Sequence, residues 1–405
     1  GTVVVNADGS FVYTPSMASR LVSVSPNTDS FTVTVTDGYH DPIELPTVNV
    51  TFTKATLVNT GAYPITADSG HSMAISPDGK RLYVTNTTAG SVSIVNADVA
   101  APGLGQVLQT ISISSPTAVA VAPVGKHIYV AATSTSLPGY PGLNSTYIAT
   151  IDVDDTSPTY GTITGTQVFA VDYVITAMTQ SADGTRLYAT GYRRVGVQSH
   201  LNSTIATTTP TSGAVFTLST TNPGAPVTPA YLTPTAGDTT SYPSSITVAN
   251  NGTVWVTDQF TRNVTTLSAT GVVIGTTTLP GNGGATTVLT GLDNNVYAIS
   301  PNISSSIFTL PTPGTYYQSG TPQIAGPYAA NPTDHTLLYI KYSDGLHIID
   351  MDTHNAGDPG RQLGGTITTY NISTVGPMAT ATNGTIYILT ANNALTILAP
   401  QAITV

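Results

Sequence analysis

The sequence predicts an all-β protein, a seven-bladed β-propeller preceded by a partial β-sandwich module, and three observations carry that prediction. The first is composition: of 405 residues only 8% are charged, about a third of the usual quarter for a soluble domain. Polarity comes instead from 73 Thr and 34 Ser, against a single Glu (Glu44) and four Lys. Thr is β-branched and suits the solvent face of a strand, whereas surface helices draw their solubility from Glu, Lys and Arg. The second observation is a repeat in which a tight turn leads into an aromatic strand. The third is the alternation of apolar and polar residues in the runs that follow each turn.

The repeat occurs seven times. Its best copies are Ser76-Pro-Asp-Gly-Lys-Arg-Leu-Tyr83, Ala122-Pro-Val-Gly-Lys-His-Ile-Tyr129 and Ser181-Ala-Asp-Gly-Thr-Arg-Leu-Tyr188. The others run into Trp255, Tyr297, Tyr339 and Tyr387. Successive aromatics are 46, 59, 67, 42, 42 and 48 residues apart, and the shortest spacing suits a four-stranded propeller blade. Longer spacings are then insertions. The pairs Asp78-Gly79, Asp183-Gly184, Asn251-Gly252 and Asn383-Gly384 predict two-residue hairpins. Alternating runs such as Ser91-Val-Ser-Ile-Val95 and Val107-Leu-Gln-Thr-Ile111 bring each unit to four strands. The last unit lacks a full fourth strand, so residues 56 to 58 are expected to complete it and close the ring.

The stretch Ser76-Pro-Asp-Gly-Lys-Arg-Leu-Tyr-Val-Thr-Asn86 resembles the signature of the YVTN-family β-propeller repeat, and the resemblance implies that architecture for residues 56–405. It implies little about activity. Residues 1–55 break the period. Thr2-Val-Val-Val5, Phe11-Val-Tyr-Thr14 and Asp29-Ser-Phe-Thr-Val-Thr-Val-Thr-Asp-Gly38 alternate as half-buried antiparallel strands do. They resemble part of a cadherin-like, VCBS-type immunoglobulin-like module of the kind found in bacterial surface proteins, actinobacterial ones included. That resemblance implies upstream strands in the intact polypeptide.

Charge and inventory narrow the function. A net charge of −10 repels phosphate backbones, which argues against nucleic acid as a partner. No run approaches the roughly 18 apolar residues of a spanning helix. With no Cys, disulfide scaffolds and thiol chemistry are excluded. No nucleophile elbow, phosphate loop or dinucleotide fingerprint is present, and no catalytic residue is assigned.

If each blade runs from axis to rim, its second-to-third loops and the connections between blades share one face. The longest insertions fall there: 134–146 with Tyr140, 192–212 with Tyr192, Arg193, Arg194 and His200, and 233–244 with Asp238 and Tyr242. Long loops on a rigid scaffold are where binding usually resides. Arg193-Arg194, the one Arg-Arg pair in the sequence, suits a carboxylate or another anion, or else neutralises Asp238. His71 is placed at the channel mouth. Gly191 and Gly213 are expected to act as hinges for the third-blade insertion. No resident metal or cofactor is assigned. Calcium is the alternative at Asp152-Val-Asp-Asp155, at Asp350-Met-Asp352 and at Asp29, Asp37 and Asp41, competing with simple turn chemistry.

These observations favour a non-enzymatic secreted or cell-surface protein, whose propeller is a rigid platform for a protein or glycan partner. A propeller enzyme of lactonase or lyase type, and a structural subunit of an envelope or filament, are the alternatives. Fold alone separates none of them.

Overall fold

In the computed structural model of the chain the described residues are 2–6, 10–14, 27–36, 39, 41–52, 57–65, 72–134, 145–171, 173–193, 213–222, 225, 227, 229–232, 241–280, 284–290, 296–300, 306–310, 317–319, 328–330, 337–342, 345–350, 361–362, 375–390 and 394–400. They form a β-propeller. Six antiparallel sheets each use four consecutive strands in chain order. Blade 1, for example, contains Met73–Ile75, Arg81–Asn86, Ser91–Asn96 and Val107–Ser112. One further four-stranded sheet is composite. It joins Val375–Thr380, Ile386–Thr390 and Ala394–Pro400 to Leu57–Pro64, which lies more than three hundred residues earlier in the chain.

The seven like blades expected from the repeat are thus six blades of consecutive strands plus this closing sheet. Its register runs from Ala394 opposite Pro64 to Pro400 opposite Leu57, so the stretch expected to close the ring does pair there. The first strands of blades 1 to 5 neighbour one another in turn, and those of blades 6 and 1 flank that of the closing sheet. First strands therefore line the axis. Tyr83, Tyr129, Tyr188, Trp255, Tyr297 and Tyr339 lie on the second strands of blades 1 to 6, and Tyr387 on the second strand of the closing sheet.

Second and third strands are covered on both sides by neighbouring sheets, and the burial follows. All of Val254–Asp258 and Asn263–Leu267 is buried, whereas the outer strand Val107–Ser112 keeps alternate residues in solvent. The core is a series of slabs between blades. Tyr83 and Ile94 meet Ile128, Val130 and Ile151 between blades 1 and 2, while Tyr188 and Val215 meet Val254, Val256 and Leu267 between blades 3 and 4. Each fully buried Ile, Leu or Val contributes on the order of 1.5–3 kcal/mol, so the slabs dominate stability.

The turns correct one expectation. They are not two-residue hairpins, because only the glycine of each Asx-Gly pair has positive φ: 72° at Gly79, 69° at Gly184, 82° at Gly252 and 83° at Gly384. Type I′ geometry needs positive φ at both central residues. Instead Gly79 N–H donates to Ser76 O, Ser76 pairs with Arg81, and Ala249 pairs with Thr253. These are loops of four and three residues whose third residue is a left-handed glycine. Asp78 Oδ1 accepts from Ser76 Oγ at 2.5 Å and from Lys80 N at 3.0 Å, which fixes the loop from within.

The N-terminal region differs from the module expected there. Its described residues make only two-stranded pairings: Thr2–Val5 with Phe11–Thr14, Asn27–Phe31 with Val48–Phe52, and Thr34–Val35 with Ile43–Glu44. Phe31 meets Phe11 edge-on at 5.2 Å and stacks on Tyr13 at 5.9 Å. No immunoglobulin-like sandwich is formed among the described residues, since two-stranded pieces lack the paired sheets that a sandwich core requires.

Candidate binding site

Where blades 3 and 4 meet, on the face that carries the second-to-third loops, three aromatic rings from distant parts of the sequence come together. Tyr192 is near the end of the second strand of blade 3, Arg186–Arg193. Tyr242 immediately precedes the first strand of blade 4, Pro243–Val248. Phe260 sits in the turn between the second and third strands of blade 4. Tyr192 and Tyr242 stack with centroids 4.3 Å apart and planes at 28°, and Phe260 meets Tyr242 edge-on at 5.5 Å.

Buried polar bonds hold this cluster rigid. Asp258, only 3% exposed, accepts from Ser241 Oγ, from Phe260 N at 2.9 Å and from Thr261 N at 2.8 Å. Gln259 N donates to Tyr242 O at 3.0 Å, and Thr176 Oγ1 donates to Pro243 O at 2.6 Å. The residues either side of Tyr242 are therefore tied to both blades. Burial, together with the neighbouring Tyr192 hydroxyl, pushes the Tyr242 phenol up to about 12, so it stays a neutral hydrogen-bonding group across the physiological range. Phe260 remains 54% exposed, an apolar ring presented on a stiff base.

Glycines make the close approach possible. A Cβ on Gly213 would lie 2.3 Å from Ser241 Oγ and 2.6 Å from the Pro243 ring. One on Gly284 would lie 1.9 Å from Asp258 O and 2.2 Å from Thr261 O. Gly191 and Gly213 are paired strand residues, buried against neighbours. The expectation that they are hinges is corrected, because their lack of a side chain serves packing.

Of the residues singled out in the sequence, the structure brings Tyr192 and Tyr242 into contact and places Arg193 next to Tyr192, paired with Tyr173 across the strand. Tyr140, Arg194, His200, Asp238 and His71 lie outside the described residues. Phe260 was not anticipated. Its only signal is an aromatic in the short polar turn Asp258-Gln-Phe-Thr261.

The Asp-x-Asp stretch at 152–155 is turn chemistry. Asp152 accepts from Asp154 N, Ser157 Oγ and Thr159 Oγ1, and Asp154 accepts from Thr156 while pairing with Lys126 at 3.0 Å. Those bonds draw the carboxylates of Asp152 and Asp154 into the turn, and at Asp154 they hold the carboxyl down to about 2. The residues after Asp350 lie outside the described set, as do Asp37 and the side chain of Asp29. Among the described residues no group of three His, Asp or Glu converges, and no helix is long and apolar enough to cross a membrane.

No protein-family model and no curated protein sequence matches the chain. Solved structures do. A chain of Kuenenia stuttgartiensis hydrazine synthase aligns with a TM-score of 0.59 at 15% identity, covering 86% of this chain and 99% of that one. The Cps50 (Swd1) β-propeller domain of Myceliophteria thermophila aligns with a TM-score of 0.58 at 11% identity, covering 86% and 100%. At such identities the likeness establishes the β-propeller fold and nothing about chemistry.

Proposed function

We propose that this protein is a non-enzymatic secreted or cell-surface protein, in which residues 56–405 form a propeller platform with the closing sheet as its seventh blade. Residues 1–55 are a separate β module joined to it. The platform engages a protein or glycan partner on the insertion-bearing face. The observation that carries this reading is the Tyr192–Tyr242–Phe260 cluster: rings held by a buried hydrogen-bond network, with Phe260 open to solvent. Tyr and Arg are over-represented among residues that dominate interfaces, because they offer large contact area and a polar handle at low entropic cost. A pre-organised base lowers the ordering cost of binding. Arg193, which follows Tyr192 on the same strand and faces the blade 2 side, supplies a charged donor for an anionic group that reaches over that strand end.

Screening the protein against a glycan array and a panel of extracellular proteins, with Phe260→Ala and Arg193→Ala beside the parent, tests the proposal. Because Phe260 is exposed, its removal leaves the melting midpoint nearly unchanged. The reading predicts that a ligand found with the parent is weakened at least ~10-fold by either change. Undiminished binding by both folded variants would place the binding surface elsewhere.

A further inference from the structure

A groove of about 380 Å³ opens on the opposite face of the ring, between the turns of blades 1 and 2, within the size range of small-molecule clefts. Ser76–Asp78, Lys80, Arg81 and Tyr83 form one wall, and Val124–Lys126 with Val153–Asp155 form the other. What distinguishes the groove is a tyrosine hydroxyl that the fold does not use. Tyr188 Oη donates to Ala269 O at 2.7 Å, and Tyr387 Oη donates to Ala97 O at 2.7 Å. In each case a second-strand tyrosine is tied to the outer turn of the next sheet. Tyr83 occupies the same position in the repeat and is only 1% exposed, yet among the described residues its hydroxyl has no hydrogen-bond partner. Where the two tied turns present Ala269 and Ala97, the turn facing Tyr83 presents the bulkier Val153, and the groove lies between them.

The charges around that hydroxyl are unequally committed. Lys126 is paired with Asp154 at 3.0 Å, and Lys80 stands 3.8 Å from Asp98. The Arg81 guanidinium makes one bond, to Lys80 O at 3.0 Å, and has no carboxylate within ion-pair distance among the described residues. Arg81 and Tyr83 are two apart on one strand, so both project from the same side of the sheet. Asp155 is exposed at the far wall, with no hydrogen-bond partner among the described residues.

We propose that this groove binds a hydroxylated monocarboxylate, a sugar acid in chemical class. Its carboxylate is received by the Tyr83 hydroxyl and the Arg81 guanidinium, and its hydroxyls are received by Asp155. Guanidinium and phenol are both donors, and a planar carboxylate fits the guanidinium fork. Burial raises the Tyr83 phenol above its ordinary value, which keeps it a donor at neutral pH. A dianion is disfavoured, since Asp78, Asp154 and Asp155 line the same groove in a chain of net charge −10.

The test titrates the whole chain with sodium glucuronate at fixed ionic strength, with glucose, acetate and inorganic phosphate in parallel, following binding by calorimetry and by chemical shift. Saturable binding of glucuronate is expected, with glucose inert and acetate and phosphate weaker. Arg81→Gln should lower glucuronate affinity at least ~10-fold, and the nearly isosteric Tyr83→Phe about 5-fold, each with an unchanged melting midpoint. Phe260→Ala, on the other face, should leave it untouched. The proposal is overturned if glucuronate gives no saturable response, if glucose or phosphate binds as well, or if both groove variants bind like the parent.

Discussion

The boundary between blades 3 and 4 and the boundary between blades 1 and 2 use the same repeat position in opposite ways. At the first, Tyr188 is bonded to Ala269 O, Thr176 to Pro243 O, and Asp258 to Ser241 and two backbone amides. At the second, Thr87 Oγ1 donates to Pro116 O and Val119 N to Ser72 Oγ across the boundary, but Tyr83, just as buried as Tyr188, has an idle hydroxyl. A repeat fixes where an aromatic ring goes. Where the hydroxyl is bonded the turns close over it, and where it is idle they leave a groove.

The sharpest way to break this contrast is at Asp258. Asp258→Ala leaves a hydroxyl and two amides without their acceptor in a buried turn, and a loss of roughly 3 kcal/mol is expected by urea unfolding. Asp154→Ala, which removes a surface ion pair and the bonds of a solvent-facing turn, should shift the midpoint much less. If Asp258→Ala costs no more than Asp154→Ala, the two boundaries are not differently tied.

Gly213 and Gly125 make the next comparison. Gly213→Ala drives a Cβ to 2.3 Å from Ser241 Oγ and 2.6 Å from Pro243, an overpacking cost of roughly 2 kcal/mol. Gly125→Ala meets nothing closer than Pro77 at 3.3 Å and is penalised through its φ of 70°, about 1 kcal/mol. Equal melting shifts for the two would show that the boundary of blades 3 and 4 yields as readily as the open one.

Smaller effects follow from pH. Thr156 and Ser181 hydroxyls, with nearby backbone amides, hold Asp154 and Asp183 down to about 2 from 3.8. Their contribution is present above the unfolded value of 3.8 and is lost as pH falls through about 2, so Asp154→Asn with Asp183→Asn should flatten the acid limb of a stability profile. At the alkaline end Tyr242 is raised from 10.0 to about 12. Its contribution is full below 10 and disappears as pH rises through about 12. A tyrosinate absorbance titration of the parent and Tyr242→Phe should differ in that late step, and loss of an ordinary step near 10 would contradict the burial described for it.

Much of the architecture was legible because turns and aromatics recur along the chain: Ser76 to Tyr83 and Ser181 to Tyr188 mark the same two strands in their blades. Closure by the strand at 57–64 was legible from a deficit, since the last unit runs short of a fourth strand. The turn type was misread, because an Asx-Gly pair suits both a two-residue hairpin and a type I turn ending on glycine, and only φ at the Asx decides. The alternation in residues 1–55 was read as a sandwich, yet alternation specifies half-buried strands and says nothing of which strands pair. Two of the three rings of the aromatic cluster were foreseen. Tyr192 and Tyr242 stood on insertions, but Phe260 joins them only through the neighbourhood of two sheets, which no spacing along the chain reveals. The idle hydroxyl of Tyr83 was invisible, since its repeat is the best copy of all.

The most direct test of the contrast removes one oxygen at each boundary. Urea unfolding of Tyr188→Phe and Tyr83→Phe compares two nearly isosteric changes at equivalent, equally buried positions. The account predicts that Tyr188→Phe loses about 1 kcal/mol, the usual worth of a hydrogen bond, while Tyr83→Phe keeps the parent's midpoint. Equal losses for the two would mean that the Tyr83 hydroxyl is bonded within the fold, and the groove would lose the donor on which its ligand depends.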